Sequence, residues 1–332
     1  MSLLLALPGA ARSRPVPVPP DADGVSYLSR ALEDAVPGDS LLLAPGLYRG
    51  VHTLESGVSI IGTAGPDSTI LDADGGRYVL FGRGIDSTTV ISGLTLQNGR
   101  RDHPNSGGGG IYLYGSSPLV LNNVFRNHLG YLGPGVYMNY GCRAVVAYNV
   151  FRDNEGYLGG AVAAYQDCQP LIFNNVLHDN KAVSGGGILC MNSTPVLLHN
   201  TIVANRAGHG GAIYCDSSPA LIRANVMAQN DDDGAIFWLD DDAPAAIREN
   251  VVWENRGGEG GGKCPRYVGR DGNCREDPGF LDPEHRRFER TTLPTSCAPR
   301  AGARPWNPRV PPAVPDSVLA QWRAWIGDER EP

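Results

Sequence analysis

The sequence contains no run of about twenty apolar residues, so it predicts no transmembrane helix. It has no Cys-x-x-Cys pair and no histidine at ligand spacing, which argues against a zinc site. Basic residues are not in excess, since 28 Lys and Arg face 35 Asp and Glu, for a net charge of −7. This balance argues against nucleic acid as a partner. Few helices are expected, because 43 glycines and 26 prolines favour many turns.

Asparagine, by contrast, recurs along the chain at nearly fixed intervals of 26 or 25 residues. A period in this range is typical of stacked supersecondary units. The residue three positions before each asparagine and the residue two positions after it are apolar, and most units carry a second asparagine five residues after the first. The first column is Asn123, Asn149, Asn175, Asn200, Asn225 and Asn250, and the second is Asn154, Asn180, Asn205, Asn230 and Asn255.

Each repeat contains three short apolar runs separated by turns. The runs favour β-branched and aromatic residues and are too short for helices, and the leucine pattern of leucine-rich repeats is absent. The sequence therefore predicts an all-β fold, a single-stranded parallel β-helix or solenoid with one coil per repeat. Stacked asparagines, about 4.8 Å apart, can hydrogen-bond along their column, and asparagine tolerates left-handed backbone at a bend. We interpret both columns as scaffold and not as catalytic residues.

Three segments resemble the GGAI and FxxN tetrapeptides of polymorphic outer membrane protein repeats: Gly159–Val162, Gly210–Ile213 and Phe151–Asn154. Over residues 40–300 the chain is similar to the right-handed parallel β-helix superfamily, the pectin-lyase-like fold. The resemblance implies a right-handed solenoid. It implies no single activity, because this fold hosts lyases, hydrolases, epimerases, adhesins and phage spikes.

Residues 1–20 are predicted to be a leader followed by a proline-rich linker. The segment Met1–Ala11 is similar to a short signal-peptide core without a basic start, which predicts a secreted or cell-envelope protein. The alternative is a disordered leader. The linker interpretation covers residues 12–20, where proline is frequent.

Residues 21–300 are predicted to form the β-helix domain. Apolar positions at helical spacing over residues 25–36 predict a helical cap at its N-terminal end, and the C-terminal end is predicted to be an irregular cap. Residues 301–332 comprise a proline-rich tail and a short amphipathic helix that begins at Asp316. This helix either packs on the solenoid or docks a protein partner.

Seven cysteines are present, and two pairs lie one repeat apart. Their thiols either form disulfides between neighbouring coils or remain stacked as thiols. One bridge is predicted among the three cysteines of the irregular C-terminal region. The pairs are Cys142 with Cys168 and Cys190 with Cys215, and the C-terminal three are Cys264, Cys274 and Cys297.

A charged column is predicted three residues after the first asparagine of successive repeats, at Arg126, Arg152 and His178. Stacked arginines need compensation, which Asp153 and Asp179 can supply. One interpretation is a basic stripe for an acidic polysaccharide, or a simple lyase site in which these acids and bases act together. The other is a solvated face with local ion pairs.

Two aspartate triads flank one apolar run. Carboxylate clusters are ligands for hard cations, so calcium is the one candidate ion, although no cofactor is required by the sequence. The run separates the triads by roughly 15–20 Å, which favours two weak sites or solvated turns over one shared ion. The triads are Asp231, Asp232, Asp233 and Asp240, Asp241, Asp242.

Aromatic residues repeat as well. Tyr131 and Tyr157 lie in two copies of the motif Gly-Tyr-Leu-Gly, and are predicted to stack on the surface, where aromatic faces can bind sugar rings. Counted from the preceding glycine, Tyr112 and Tyr137 align with Val162 and other apolar residues, which predicts a core position.

These observations lead to three functional hypotheses. The first is an exported or cell-envelope protein that binds a polysaccharide or surface glycan without catalysis. The second is a polysaccharide lyase or glycoside hydrolase. The polygalacturonase-like Gly-His-Asp pattern is missing, however, because the only similar segment is Gly208-His209-Gly210. The third is a structural or adhesin-like envelope component.

Overall fold

The computed structural model describes residues 14–22, 24–101, 107–231, 233–240, 246–282, 284, 287–290, 301–302 and 314–326. Over these residues the chain is a parallel β-solenoid, as the sequence predicts. Each coil passes through sheet 1, sheet 2 and sheet 3 and then returns to sheet 1 one coil further along. A short rim sheet lies on the connection from sheet 2 to sheet 3 in the middle coils. Within the described residues, no helix is long and apolar enough to cross a membrane.

The strands are short and stack in register. Sheet 1 consists of Arg14–Val18, Asp39–Leu43, Ser59–Gly62, Val90–Ser92, Leu119–Leu121, Val145–Ala147, Leu171–Phe173, Val196–Leu198, Leu221–Arg223 and Ala246–Arg248. Sheet 2 consists of Gly46–Arg49, Thr69–Asp72, Thr95–Gln97, Val124–Arg126, Val150–Arg152, Val176–His178, Thr201–Val203, Val226–Ala228 and Val251–Trp253. Sheet 3 consists of His52–Thr53, Leu80–Arg83, Ile111–Tyr114, Val136–Asn139, Val162–Tyr165, Ile188–Met191, Ile213–Asp216, Ile236–Trp238 and Gly260–Gly262. The rim sheet consists of Arg100–Arg101, Leu129–Leu132 and Glu155–Leu158.

Both asparagine columns form hydrogen-bonded ladders at the bends of the coil. In the first, at the bend between sheets 1 and 2, Asn149 donates its backbone N–H and its Nδ2 to Asn175 Oδ1, at 2.9 and 3.0 Å. Asn149 Nδ2 also donates to the Val120 carbonyl of the preceding coil. The ladder continues past Asn250 to Asn273, which accepts from the Asn250 N–H at 3.0 Å. The amides therefore satisfy the bend's buried polar groups, as predicted.

The left-handed backbone lies one residue before each asparagine of the first ladder. Tyr148 and Asn174 have φ angles of 58° and 54°, whereas the ladder members Asn149 and Asn175 do not enter that region. The prediction that the ladder asparagines take the left-handed conformation is therefore wrong. The left-handed position does not require asparagine, since Ala224 occupies it in a later coil. The ladder position therefore holds asparagine for the hydrogen bonds of its amide.

A third column lies on the turn from sheet 3 to sheet 1 and contains two of the cysteines. Cys142 Sγ accepts the Ser116 N–H at 3.3 Å, and Cys168 Sγ accepts the Cys142 N–H at 3.4 Å. Each thiol also donates to a carbonyl three residues earlier in its own coil. Both cysteines are free, so the stacked-thiol alternative is confirmed. The register partners Cys190 and Cys215 are free too, whereas Cys274 is disulfide-bonded and Cys297 lies outside the described residues.

The N-terminal strand differs from the prediction. Residues 12–20 were predicted to form a linker, yet Arg14–Val18 pairs with Asp39–Leu43 at the edge of sheet 1. Its prolines argue against a strand in the sequence, because proline lacks the N–H that a central strand donates. They are tolerated here because the strand lies at a sheet edge. The predicted N-terminal helix is present as α1, Tyr27–Glu33, with Leu28 and Leu32 buried in the main core.

C-terminal elements cover the outer faces of two sheets. Helix α2, Asp316–Ile326, packs Val318 and Trp322 on the apolar outer face of sheet 1, and Trp322 Nε1 donates to the Gln169 carbonyl at 2.9 Å. The packed-helix alternative is therefore confirmed. An antiparallel hairpin, Phe280–Asp282 with Arg287–Arg290, covers part of sheet 2.

Candidate functional sites

The charged column predicted on sheet 2 is present. Arg126, Arg152 and His178 are register partners in successive coils. Arg126 Nε donates to Gln97 Oε1 of the preceding coil at 2.9 Å, and no carboxylate of the described residues pairs with this arginine. A neutral amide therefore orients the first arginine of the column.

The other two members pair with the acidic residues that follow them. Arg152 Nη1 lies 2.6 Å from Asp153 Oδ2, and His178 Nδ1 lies 2.6 Å from Asp179 Oδ2. The predicted compensation is confirmed at Arg152. An open depression of about 390 Å³ is lined by these four residues and by Val150. Phe288 of the hairpin packs 5.1 Å from the His178 ring, measured between centroids, so His178 is buried while Arg152 remains half-exposed.

The aspartate triads do not converge in the described residues. Asp231 Oδ2 lies 3.8 Å from Arg206 and its Oδ1 lies 3.4 Å from Arg256, which neutralise it. Asp233 pairs with His209 at 3.1 Å. These are exposed contacts of a solvated ladder, each contributing little to stability.

Asp240 of the second triad lies at a different turn. It accepts from Ser217 Oγ at 2.6 Å and adjoins Asp216. Partial burial and the hydrogen-bonded Asp240 carboxylate raise the pKa of Asp216. Within the part of the chain that the structure describes, no three His, Cys, Asp or Glu side chains form a metal-binding group. Three triad members lie outside that part: Asp232, Asp241 and Asp242.

Sheet 3 carries an aromatic outer face. Its outward positions form two columns, because side chains alternate along each strand. The prediction that Tyr112 and Tyr137 align with Val162 is wrong, since they pair with Ala163, one residue later. The alignment was one residue out because the residue directly before the strand is Ala161 in that coil, whereas it is glycine in the coils of Tyr112 and Tyr137. Column one is Phe81, Tyr112, Tyr137, Ala163, Leu189, Tyr214 and Phe237, and column two is Arg83, Tyr114, Asn139, Tyr165, Met191 and Asp216.

Tyr131 and Tyr157 lie on the rim sheet beside this face. Their ring centroids are 4.8 Å apart and their planes differ by 14°, so the predicted stack is present. Tyr157 is 48% exposed, whereas Tyr131 is half-buried. Val183, which is 46% exposed, donates its N–H to the Tyr157 carbonyl and continues the column one coil further. The three residues form one apolar strip on the surface.

The family described as "Right handed beta helix region" matches residues 78–252, which is 175 of the 332 residues. The chain belongs to this family. The matched range of this right-handed β-helix protein includes the charged column and the Tyr131–Tyr157 stack. No curated protein matches the chain.

Solved structures similar to this β-helix protein have low sequence identity. A pectin methylesterase from Aspergillus niger in deglycosylated form is 11% identical, with a TM-score of 0.39 over 78% of this chain and 90% of the enzyme. A PL6 family alginate lyase mutant is 14% identical, with a TM-score of 0.28 over 90% of this chain and 60% of the lyase. These values carry no inference about activity.

Sequence reasoning missed the second aromatic group on sheet 3. The rings of Tyr114 and Tyr140 lie 5.0 Å apart, and the Arg83 guanidinium lies 5.1 Å above the Tyr114 ring centroid. Tyr140 is 48% exposed. The asparagine period predicts that Tyr114 and Tyr140 lie in neighbouring coils, so this pair could have been found from the sequence. Counting from the preceding glycine singled out Tyr112 and Tyr137 instead.

Proposed function

We propose that this β-helix protein binds a polysaccharide or surface glycan at the Tyr131–Tyr157 stack without catalysing a reaction on it, and that it does so outside the cell or in the cell envelope. The observation that carries the proposal is the exposed aromatic strip. Sugar rings have apolar faces that pack on aromatic rings, and Tyr157 offers the ring face turned away from Tyr131. Val183 occupies the next position of the column, and among the described residues the Tyr157 ring stacks only with Tyr131.

Charged groups beside the strip suit the polar edges of a sugar. Lys181 Nζ lies 3.1 Å from Glu155 Oε1, and both side chains are more than half exposed. They flank the tyrosine column, since Glu155 lies two residues before Tyr157 in the same strand. A glycan lying on the strip can therefore exchange hydroxyl hydrogen bonds with both charges at little cost, because neither is committed to a buried contact.

The test is binding to an array of immobilised glycans, followed by titration calorimetry with the best soluble ligand. Tyr157→Ala is expected to weaken binding at least about tenfold, which corresponds to about 1.4 kcal/mol. Val36→Ala, which shortens another exposed apolar residue far from the strip in sequence, serves as the control and should bind as the wild type does. Wild-type affinity in both Tyr131→Ala and Tyr157→Ala, or no glycan bound at all, would refute the proposal.

The lyase or hydrolase alternative has one observation in its favour, the depression that brings Arg152, Asp153, His178 and Asp179 together. Its acids and bases are engaged with one another, which argues for local ion pairing. Release of unsaturated or reducing ends from a polysaccharide panel, abolished by Arg152→Ala, would establish this alternative. Neither binding nor turnover would favour a structural envelope component.

A further inference from the structure

We infer that the turn face between sheets 3 and 1 holds a second sugar subsite, one that takes a neutral sugar donating its hydroxyl hydrogens. The subsite is built around Tyr140 and extends over the two coils that follow. Because it would bind the same glycan as the Tyr131–Tyr157 stack, the inference rests on the proposed function.

The apolar part of the subsite is the pair Tyr114 and Tyr140. Their rings contact each other at 5.0 Å with a tilt of 42°, so the faces are not fully stacked and Tyr140 remains half-exposed. A bulky residue with a φ of 55° is unusual, and the preceding coil has Gly115 at this position. The turn thus accepts an unfavourable backbone conformation for the tyrosine where glycine would suffice.

The polar part consists of amide oxygens that lack a donor. Asn139 Oδ1, Gln166 Oε1 and Gln169 Oε1 are buried, and none has a hydrogen-bond partner within the described residues. Asn139 retains only 8% of its accessible surface and lies directly before Tyr140. Gln166 lies one coil further, directly after Tyr165, whose carbonyl accepts the Tyr140 N–H. Such unsatisfied acceptors are costly, so the presence of three of them in two neighbouring coils needs an explanation.

The chemistry of these groups selects the ligand. Three acceptors call for donors, which sugar hydroxyls provide, whereas a carboxylate offers none at neutral pH. A polar depression of about 290 Å³ continues from Gln169 along the same turns and includes Asp167, whose charge disfavours an anion. Tyr140, half-exposed and directly after Asn139 in the chain, supplies the ring on which a sugar packs. A neutral sugar therefore fits better than a uronate.

Two variants remove the subsite while keeping the fold. Tyr140→Gly relieves the left-handed backbone, so stability should be maintained or increased. Asn139→Leu removes the orphan oxygen at similar volume. Titration calorimetry with cellohexaose, xylohexaose, mannohexaose and hexagalacturonate provides the readout, and Tyr157→Ala serves as the matched variant at the other subsite.

We expect at least one neutral hexaose to bind more tightly than hexagalacturonate, and both variants to weaken that binding at least about tenfold. Unchanged affinity in Tyr140→Gly and Asn139→Leu together with reduced affinity in Tyr157→Ala would overturn the second subsite and leave the proposed function standing. Binding of hexagalacturonate alone would overturn the neutral-sugar assignment. Binding to none of the four, in a protein that is also negative on the glycan array, would sink both.

Discussion

His128 stands where the second ladder would have an asparagine, one coil before Asn154. Its backbone N–H donates to Asn154 Oδ1 at 3.1 Å, as a ladder asparagine's would. The ring reproduces the amide's other bonds, since Nδ1 accepts the Gly99 N–H at 3.1 Å and Nε2–H donates to the Leu96 carbonyl at 3.0 Å. This arrangement requires the neutral ring, because a protonated Nδ1 would face an N–H donor.

Stability is therefore expected to fall with acid through His128. Burial lowers the pKa of His128 to about 3, against about 6.5 in the unfolded chain. The unfolded state then binds more protons below pH 6.5, so stability is complete above that pH and declines as the pH falls towards 3. His52 acts in the same direction, since burial lowers its pKa to about 4. At pH 4, His128 alone accounts for a loss of about 3 kcal/mol.

His128→Asn tests this assignment, because it restores the ladder's own residue and removes the titrating group. Thermal unfolding from pH 7.5 to pH 4 should show a smaller loss in the variant than in the wild type. His209→Asn, at an exposed histidine, should keep the wild-type profile. Identical pH profiles for wild type and His128→Asn would show that other groups govern the acid sensitivity.

Removing one amide from the first ladder is expected to be severely destabilising. Asn175→Ala leaves the Asn149 N–H and Nδ2 without their acceptor and the Val146 carbonyl without the donor that reaches it at 2.8 Å. Each unsatisfied buried group costs about 1–3 kcal/mol, so the total should be about 3 kcal/mol or more. Asn192→Ala, at an exposed asparagine on a turn, is the control and should cost about 1 kcal/mol. Equal urea midpoints for the two variants would contradict the ladder's role.

The free thiols of the third column should be replaceable by serine better than by alanine. Cys142 both accepts the Ser116 N–H and donates to the Asn139 carbonyl, and a hydroxyl can do the same. Ser218, three coils on, makes comparable contacts, since its Oγ accepts the Ser193 N–H at 3.1 Å and donates to the Asp216 carbonyl at 2.8 Å. Cys142→Ala leaves two groups unsatisfied and should cost about 1–3 kcal/mol, more than Cys142→Ser. The reverse order of urea midpoints would mean that the thiol acts as an apolar filler.

The prolines of the first strand are expected to keep the N-terminal edge of sheet 1 from pairing with another chain. Arg14 and Val18 direct their backbone groups to the neighbouring strand, so Pro15 and Pro17 face the edge on which no described strand pairs and offer no N–H there. The double variant Pro15→Val/Pro17→Val exposes two donors there and should self-associate as its concentration rises.

Sedimentation velocity over a wide concentration range measures this association. Pro19→Val, just beyond the strand, is the control and should sediment as the wild type does. A double variant whose sedimentation coefficient stays at the wild-type value at every concentration would show that the prolines do not protect the edge.

Much of the scaffold could be read from the chain alone, because a solenoid contact is a contact between residues one period apart. The asparagine period placed Arg126 with Arg152 and Cys142 with Cys168, and both pairings are confirmed. Alignment by the glycine before each sheet 3 strand misplaced Tyr112. That position accepts alanine as well as glycine, so the glycine is not at a constant distance from the strand.

The elements outside the repeats could not be predicted from the period, because their contacts have no fixed spacing in the sequence. Arg14–Val18 joins sheet 1 only because its partner strand leaves an edge where proline is tolerated. Trp322 reaches the carbonyl of Gln169, more than a hundred residues away, and Phe288 folds over His178. These elements cover parts of sheets 1 and 2. Local sequence thus determined the coil and the column of each residue, whereas long-range packing determined which columns are left for a ligand.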